Sequence, residues 1–397
     1  MKSKQLTILV LAALVLGGGG LLVLKNRQSE FAESKTSVGG VLLGTFDVNA
    51  VAGLRLTQGT NAVNITKAGD DWVVKERGGY PANFDEVRSF VRKLAELKVT
   101  QPVKVGASRL PMLELTKEAG TFVEFLDKDG KAMKTVTLGK QLSAGGGNDN
   151  SPFGGGGMPN GRYVQTGAGP AVVVVNDPLS SAKTDASEWI AKEFIKVEQP
   201  ISVVVAGGTP TNSFSLVRTN EFADWTLADA QPGDDLDKNK LFSFNSLLSS
   251  PSFNDLVLAP DLAKLGLDQP TKATIKTAGG FTYEVKLGKA DGDNYPLQVS
   301  VSADLKKQRE AAKDEKPEDK AKLDKEFADK LSKLEEKLKS EQSFAKWTYT
   351  VSKWTVDALL KGRGELMAEK KADEKKPAAP AGVESLGIDL PKLPGAQ

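Results

Sequence analysis

Apolar residues are arranged along this chain in three ways, and each predicts a different kind of element. The first is a single block, from Leu6 to Leu24, reading LTILVLAALVLGGGGLLVL without a charge. At a helical rise of about 1.5 Å per residue it is about 28 Å long, close to the hydrocarbon thickness of a bilayer. Lys2 and Lys4 precede it; Lys25 and Arg27 follow. It reads as an uncleaved single-span anchor, residues 1–25. The competing reading is a cleaved secretory signal, with its core at 6–16 and small residues at 17–20. The apolar run resumes at 21–24 and no A-x-A site follows, which favours the anchor. A polar linker, residues 26–45, comes next.

The second arrangement is short alternation broken by turn residues. Strands are predicted at 51–56, 62–66 and 72–74. Asn83 is placed to cap a helix in which Val87, Phe90, Val91, Leu94 and Leu97 recur at helical spacing. Strands at 121–126 and 134–138 flank the turn Asp127-Lys128-Asp129-Gly130, and the second ends in Leu138-Gly139-Lys140. A Gly-rich loop, 143–161, intervenes. Strands at 162–165 and 171–176 follow, then a partly helical stretch at 178–194.

This order then repeats. Residues 201–205 match 51–56. Trp225-Thr226-Leu227 matches Trp72-Val73-Val74, and a helix around Leu241, Phe244, Leu247 and Leu248 matches the one after Asn83. Leu265-Gly266-Leu267-Asp268-Gln269-Pro270 matches Leu113-Glu114-Leu115, and Leu287-Gly288-Lys289 matches Leu138-Gly139-Lys140. Tyr295 is paired with Tyr163, strand 349–351 with 173–175, and the helix from Trp354 to Leu360 with the segment after Asp177. The expected fold is α+β: a transmembrane helix, then two tandem duplicated domains of mixed, mainly antiparallel sheet plus helix. Their bounds are 46–193 and 194–363, with a disordered tail at 364–397.

The third arrangement is a charged helical insert at 303–343, between the last two strands of the second copy. Leu323, Phe327, Leu331, Leu334 and Leu338 form one coiled-coil-like apolar stripe. Glu318/Lys322, Glu326/Lys330, Asp329/Lys333 and Glu335/Lys339 are i,i+4 pairs, and Pro317 suits a first helical turn. A helical hairpin or arm projecting from a sheet edge, dispensable for the fold, is expected, with the stripe either self-packed or as the candidate interaction surface.

Composition narrows the chemistry. The chain has no cysteine and no histidine. That removes thiolate nucleophiles, Ser-His-Asp sites, zinc sites of the usual ligands, disulfides and lipoprotein acylation. A net charge of +2 gives no electrostatic case for nucleic acid. No cofactor, metal or catalytic residue is predicted. Asp235-Leu236-Asp237-Lys238-Asn239 looks like the start of a calcium loop, but Lys240 stands where glycine is needed, so it reads as a turn and helix cap. Trp72 and Trp225, in equivalent strand patterns, read as core rather than as sugar-stacking platforms. The glycines lack a G-x-x-x-x-G-K-[ST] spacing and read as loop.

The repeated Trp-x-[Val/Leu], the Tyr80-Pro81-Ala82-Asn83 helix start, Leu-Gly-Leu-Asp-x-Pro and Leu-Gly-Lys resemble the bacterial domain-of-unknown-function 4340 family over roughly 46–362. Glu114 departs from the pattern, standing where glycine is expected. The resemblance implies an anchored envelope protein, often encoded beside ABC-type transport components likened to gliding-motility auxiliaries, and no catalytic residues. The expectation is a non-enzymatic protein, single-pass in the bacterial inner membrane with its bulk periplasmic. It would serve as an accessory or assembly subunit of a transport or envelope complex, with ABC-type transporter components among its candidate partners. A glycan- or peptidoglycan-binding module is the alternative, and a carboxylate-dependent hydrolase a third reading.

Overall fold

The computed structural model describes residues 37–45, 47–143, 159–167, 171–208, 210–310 and 315–369. The predicted anchor, most of the Gly-rich loop and residues 370–397 lie outside them. No described helix is long and apolar enough to cross a membrane.

Two antiparallel sheets carry the fold. The first contains β1 (Gly53–Gln58), β2 (Asn61–Ala68), β3 (Asp71–Val74), β4 (Tyr80–Pro81), β5 (Val99–Val103), β6 (Thr121–Leu126), β7 (Ala132–Ser143), β8 (Pro159–Thr166) and β9 (Val172–Val175), with α1 (Phe84–Glu96) between β4 and β5. Its spatial order is β4-β3-β2-β1-β6-β7-β8-β9-β5. The second contains β10 (Pro200–Ala206), β11 (Phe214–Val217), β12 (Thr226–Leu227), β13 (Asp255–Leu256), β14 (Thr271–Thr277), β15 (Phe281–Leu287), β16 (Asn294–Ala303) and β17 (Tyr349–Ser352). Helices α2 (Lys238–Asn245), α3 (Pro317–Gln342) and α4 (Lys353–Leu360) accompany it. Its order, β12-β11-β10-β14-β15-β16-β17-β13, is that of the first sheet without β4. Register agrees as well: Leu54 lies between Ile65 and Phe125, as Val203 lies between Leu216 and Ile275.

Local chemistry explains the elements. Asn83 caps α1 by accepting from the Glu86 N–H at 3.2 Å, and Val87, Phe90, Val91 and Leu94 are its buried face. Asp127 Oδ1 accepts from the N–H groups of Asp129 and Lys131, with Gly130 at φ 76°, which sets the β6–β7 turn. Asp237 caps α2 through the Asn239 N–H, so the calcium-like segment is a helix start.

The repeated glycine motifs prove to be two halves of one latch. Lys289 donates its N–H to the carbonyl of Leu265 at 2.7 Å, tying Leu-Gly-Lys to Leu-Gly-Leu. A Cβ on Gly288 would overlap the Leu265 carbonyl oxygen, and one on Gly139 would overlap that of Leu113. Gly266 sits at φ 68°, and Glu114, its counterpart, at φ 55°. The turns also share a bond: Leu115 N–H to Leu110 O at 3.0 Å and Leu267 N–H to Leu262 O at 2.7 Å. The turn beside the first sheet therefore keeps the left-handed conformation with a non-glycine residue, at a cost of about 1–2 kcal/mol.

Several expectations are corrected. All strand pairings among the described residues are antiparallel, so the sheets are not mixed. The segment 178–194 holds one 3-10 turn, Ala186–Glu188, rather than a longer helix. Its backbone is committed elsewhere: the Ala191 N–H bonds Pro81 O, and Trp189 O accepts from Asn83. Tyr295 faces Val351 as Arg162 faces Val175, so it matches Arg162 and not Tyr163. The linker 26–45 ends early, because Leu42 and Leu43 are buried and Leu42 bonds the Leu97 carbonyl. Order also continues past 364, since Leu366 is fully buried and Met367 pairs with Leu236. Of the hairpin or arm expected at 303–343, the structure shows one helix, α3, and no hairpin among the described residues; the incoming segment 304–310 is not helical.

The latch makes a prediction. Gly288→Ala should lower stability by about 2–3 kcal/mol in urea titrations, because its neighbour is backbone and cannot yield. Gly266→Ala should cost about 1–2 kcal/mol, and Glu114→Gly should instead raise stability, by up to about 1 kcal/mol.

Candidate functional site

The two sheets share one continuous buried core. At their junction Arg77 grips Asp255 with two bonds, at 2.6 and 2.8 Å, and that hydrogen bonding raises the guanidinium further above its ordinary value. Beside it the Tyr80 ring stands edge-on to Trp347, Phe253 and Tyr349, at centroid distances of 5.1, 6.0 and 6.3 Å. Burial pushes the Tyr80 hydroxyl up to about 12. This junction is packed and satisfied, and it reads as architecture.

Helix α3 is different, because its two ends have different surroundings. Its 26 residues span about 39 Å at helical rise. Near its C-terminus, Leu334 and Leu338 pack against the core. One turn on, Glu341 is 4% exposed. Its Oε1 accepts the Lys196 N–H and its Oε2 accepts the Tyr283 hydroxyl, both at 2.8 Å. Lys337 donates to the Lys196 carbonyl and to Glu198, both at 2.8 Å, and lies over the Phe281 ring. Burial pushes the Glu341 carboxyl up, against the pull of its two hydrogen bonds and the Lys337 charge. The Tyr283 hydroxyl is pushed up by burial and by the facing carboxylate.

Toward the N-terminus the stripe leaves the core. Leu331 and Phe327 are half-buried and Leu323 is 39% exposed. Arg309 folds back to pair with Glu315 and with Asp324, the latter at 2.9 Å, so the incoming segment is held to the first turns by ion pairs. Thus the structure brings Leu334 and Leu338 onto the domain and leaves Leu323 outside it. The expectation that all of 303–343 is dispensable fails at its C-terminal end, where Glu341 belongs to the interior. A signal for this was present: Glu341 falls three residues after Leu338, on the stripe itself.

The equivalent tryptophans are packed. Trp225 is 7% exposed, donates its indole N–H to Asn245 Oδ1 at 2.9 Å, and lies under the Arg218 guanidinium at 4.4 Å. Trp72 is half-buried against the core. A cleft of about 430 Å³ opens beside Trp225, rimmed by the exposed Phe222. Of its charged residues, Lys238 pairs with Asp224 at 2.6 Å and Asp234 with Arg363 at 2.8 Å. Glu341, with its raised carboxyl, lies outside that cleft. Among the described residues no group of three or more metal-ligating side chains could hold an ion.

The molecule is thus an α+β protein of two antiparallel sheets. It belongs to the family described as Domain of unknown function (DUF4340), whose model matches residues 72–270, half of the chain. That match is narrower than the 46–362 the repeated motifs suggested, and it crosses the junction between the sheets. No curated protein and no solved structure matches the chain.

The Glu341 site carries a pH prediction. Glu341→Ala should cost about 1–3 kcal/mol, because it strands the buried Lys196 N–H, while the Tyr283 hydroxyl keeps the Lys196 carbonyl, 2.9 Å away, as its acceptor. Glu341→Gln keeps the shape and should cost less. The folded carboxyl titrates above its unfolded value, so its stabilising contribution is fully present below the ordinary carboxylate range. It is lost as pH rises through the folded value. Wild type should therefore gain on Glu341→Gln as pH falls from 7 toward 4 in urea midpoints.

Proposed function

We propose that this chain is a membrane-anchored, extracytoplasmic, non-enzymatic accessory or assembly protein of a transport or cell-envelope complex. It acts through protein–protein contact along the N-terminal half of α3. The observation that carries this reading is the division of α3. One half is seated by Leu334, Leu338 and Glu341, while the same apolar stripe continues to the solvent-exposed Leu323. A helix fixed at one end with an apolar stripe running off the domain suits helix-in-groove recognition. The apolar block 6–24 supports the anchor, and the family resemblance supports ABC-type transport components as the partners.

The body, in this reading, is an internal duplication with units near 46–193 and 194–363. The shared strand order, the shared register and the paired glycine latch support it. The insert distinguishes the copies: β8 and β9 are joined by a short connection, whereas β16 and β17 are joined through α3. Lengthening a loop costs little, since closure entropy grows only logarithmically. Such an insertion is a cheap way to add a contact surface to an existing unit.

Photocrosslinking in living cells tests the reading. A photoreactive residue at Leu323 should give a discrete adduct with a membrane or envelope transport subunit. The same residue at Met112, 73% exposed on the first unit, should not. Absence of an adduct at Leu323, or identical adducts from both positions, would contradict it.

A further inference from the structure

The structure carries a second surface feature, away from α3. Trp354, the second residue of α4, is 67% exposed. Tryptophan is usually well buried, so an indole in water calls for a reason. It borders a cavity of about 340 Å³ between the end of α2 and the start of α4, at the small end of the range for small-molecule sites. The remaining wall is mixed: Ser243, Ser246, Ser249 and Asp357 are among its polar groups, and Leu247, Leu248, Pro251 and Ala358 are apolar. Thr355 is 8% exposed, and its Oγ1 has no hydrogen-bond partner among the described residues. Helix α4 also starts without a side-chain cap, so its first turn is not closed by Ser352.

We propose that this cleft binds a neutral saccharide. An indole face beside a ring of hydroxyls and a carboxylate is complementary to a sugar. The C–H face of the sugar stacks on the aromatic ring, and its hydroxyls exchange hydrogen bonds with the serines and Asp357. No lysine or arginine lines the cleft, and its one carboxylate, Asp357, is paired with Lys361 at 4.0 Å, so a phosphate or carboxylate ligand gains no cation from the wall. The volume suits one or two sugar rings. The site belongs to the second unit only, because among the described residues no α-helix follows β9 in the first, where one 3-10 turn, Ala186–Glu188, stands instead. This proposal is independent of the one for α3, since the two surfaces share no residue.

The test uses the full-length chain in a zwitterionic detergent, whose headgroup carries no sugar. Triacetylchitotriose, cellotriose and inorganic phosphate are titrated, following indole N–H resonances and tryptophan fluorescence. At least one trisaccharide should give a saturable response centred on the Trp354 indole, and phosphate should give none. Trp354→Ala should weaken binding at least about tenfold, the loss expected for one stacked ring. Asp357→Asn, also at an exposed position, should weaken it while leaving the melting temperature unchanged. Lack of a saturable response to either trisaccharide, a response that survives Trp354→Ala, or phosphate binding at the cleft would overturn the proposal.

Discussion

The buried carboxylate of Glu341 is the interaction on which the placement of the charged insert depends. A helix as polar as α3 gains little from its own surface pairs, such as Lys322 with Glu326 at 3.9 Å, each worth about 0.3–0.5 kcal/mol. It is oriented by its last turns, where one carboxylate satisfies the Lys196 N–H that precedes β10 and the Tyr283 hydroxyl on β15. Burying a charge is costly unless it is hydrogen-bonded, and these two donors with the nearby Lys337 ammonium provide that. The consequence is directional. The helix is fixed to the second sheet at one end, and the orientation of its exposed end follows from that attachment.

The junction between the sheets applies the same economy of contacts. The first sheet has one strand more than the second, β4, and that strand carries Tyr80 into the aromatic group of Phe253, Trp347 and Tyr349. The segment 178–194 runs alongside, bonded to Pro81 and Asn83, before the chain enters the second sheet. Arg77 and Asp255 are joined across this junction, half sheltered from solvent. Two units of one strand order are thereby joined through an element that only the first possesses. The surfaces that carry functional proposals, the free end of α3 and the cleft at Trp354, both belong to the second.

Much of the fold was legible because it rests on local chemistry. The cap at Asn83, the turn at Asp127 and the strand alternation through Leu54, Leu56, Val63 and Ile65 are short-range signals, and each appears as read. The paired glycine motifs were legible, and the structure supplies the reason: two of the glycines leave no room for a Cβ. Glu114 hid its role, because conformation and not residue type is what the two turns share there. Strands β5 and β11 escaped notice. Pro102 interrupts β5 and is tolerated because that strand is at the sheet edge, while β11 is four residues long behind a Gly-Pro cluster. The spacing after Leu338 placed Glu341 on the stripe, but its partners Tyr283 and Lys196 lie 58 and 145 residues away, and the two sides of the Trp354 cleft are likewise far apart in the chain, so spacing alone could not reveal them.

Amide hydrogen exchange along α3 tests the central claim most directly. Local opening reports how much of an element is held by tertiary contact. With the full-length chain alone in detergent, amides at 333–342 should exchange at least about 100-fold more slowly than those at 319–328, and Glu341→Ala should erase the difference. Uniform slow exchange along the whole helix would mean that the stripe from Leu323 to Leu331 is already buried in the fold. That result would contradict a free end poised for a partner.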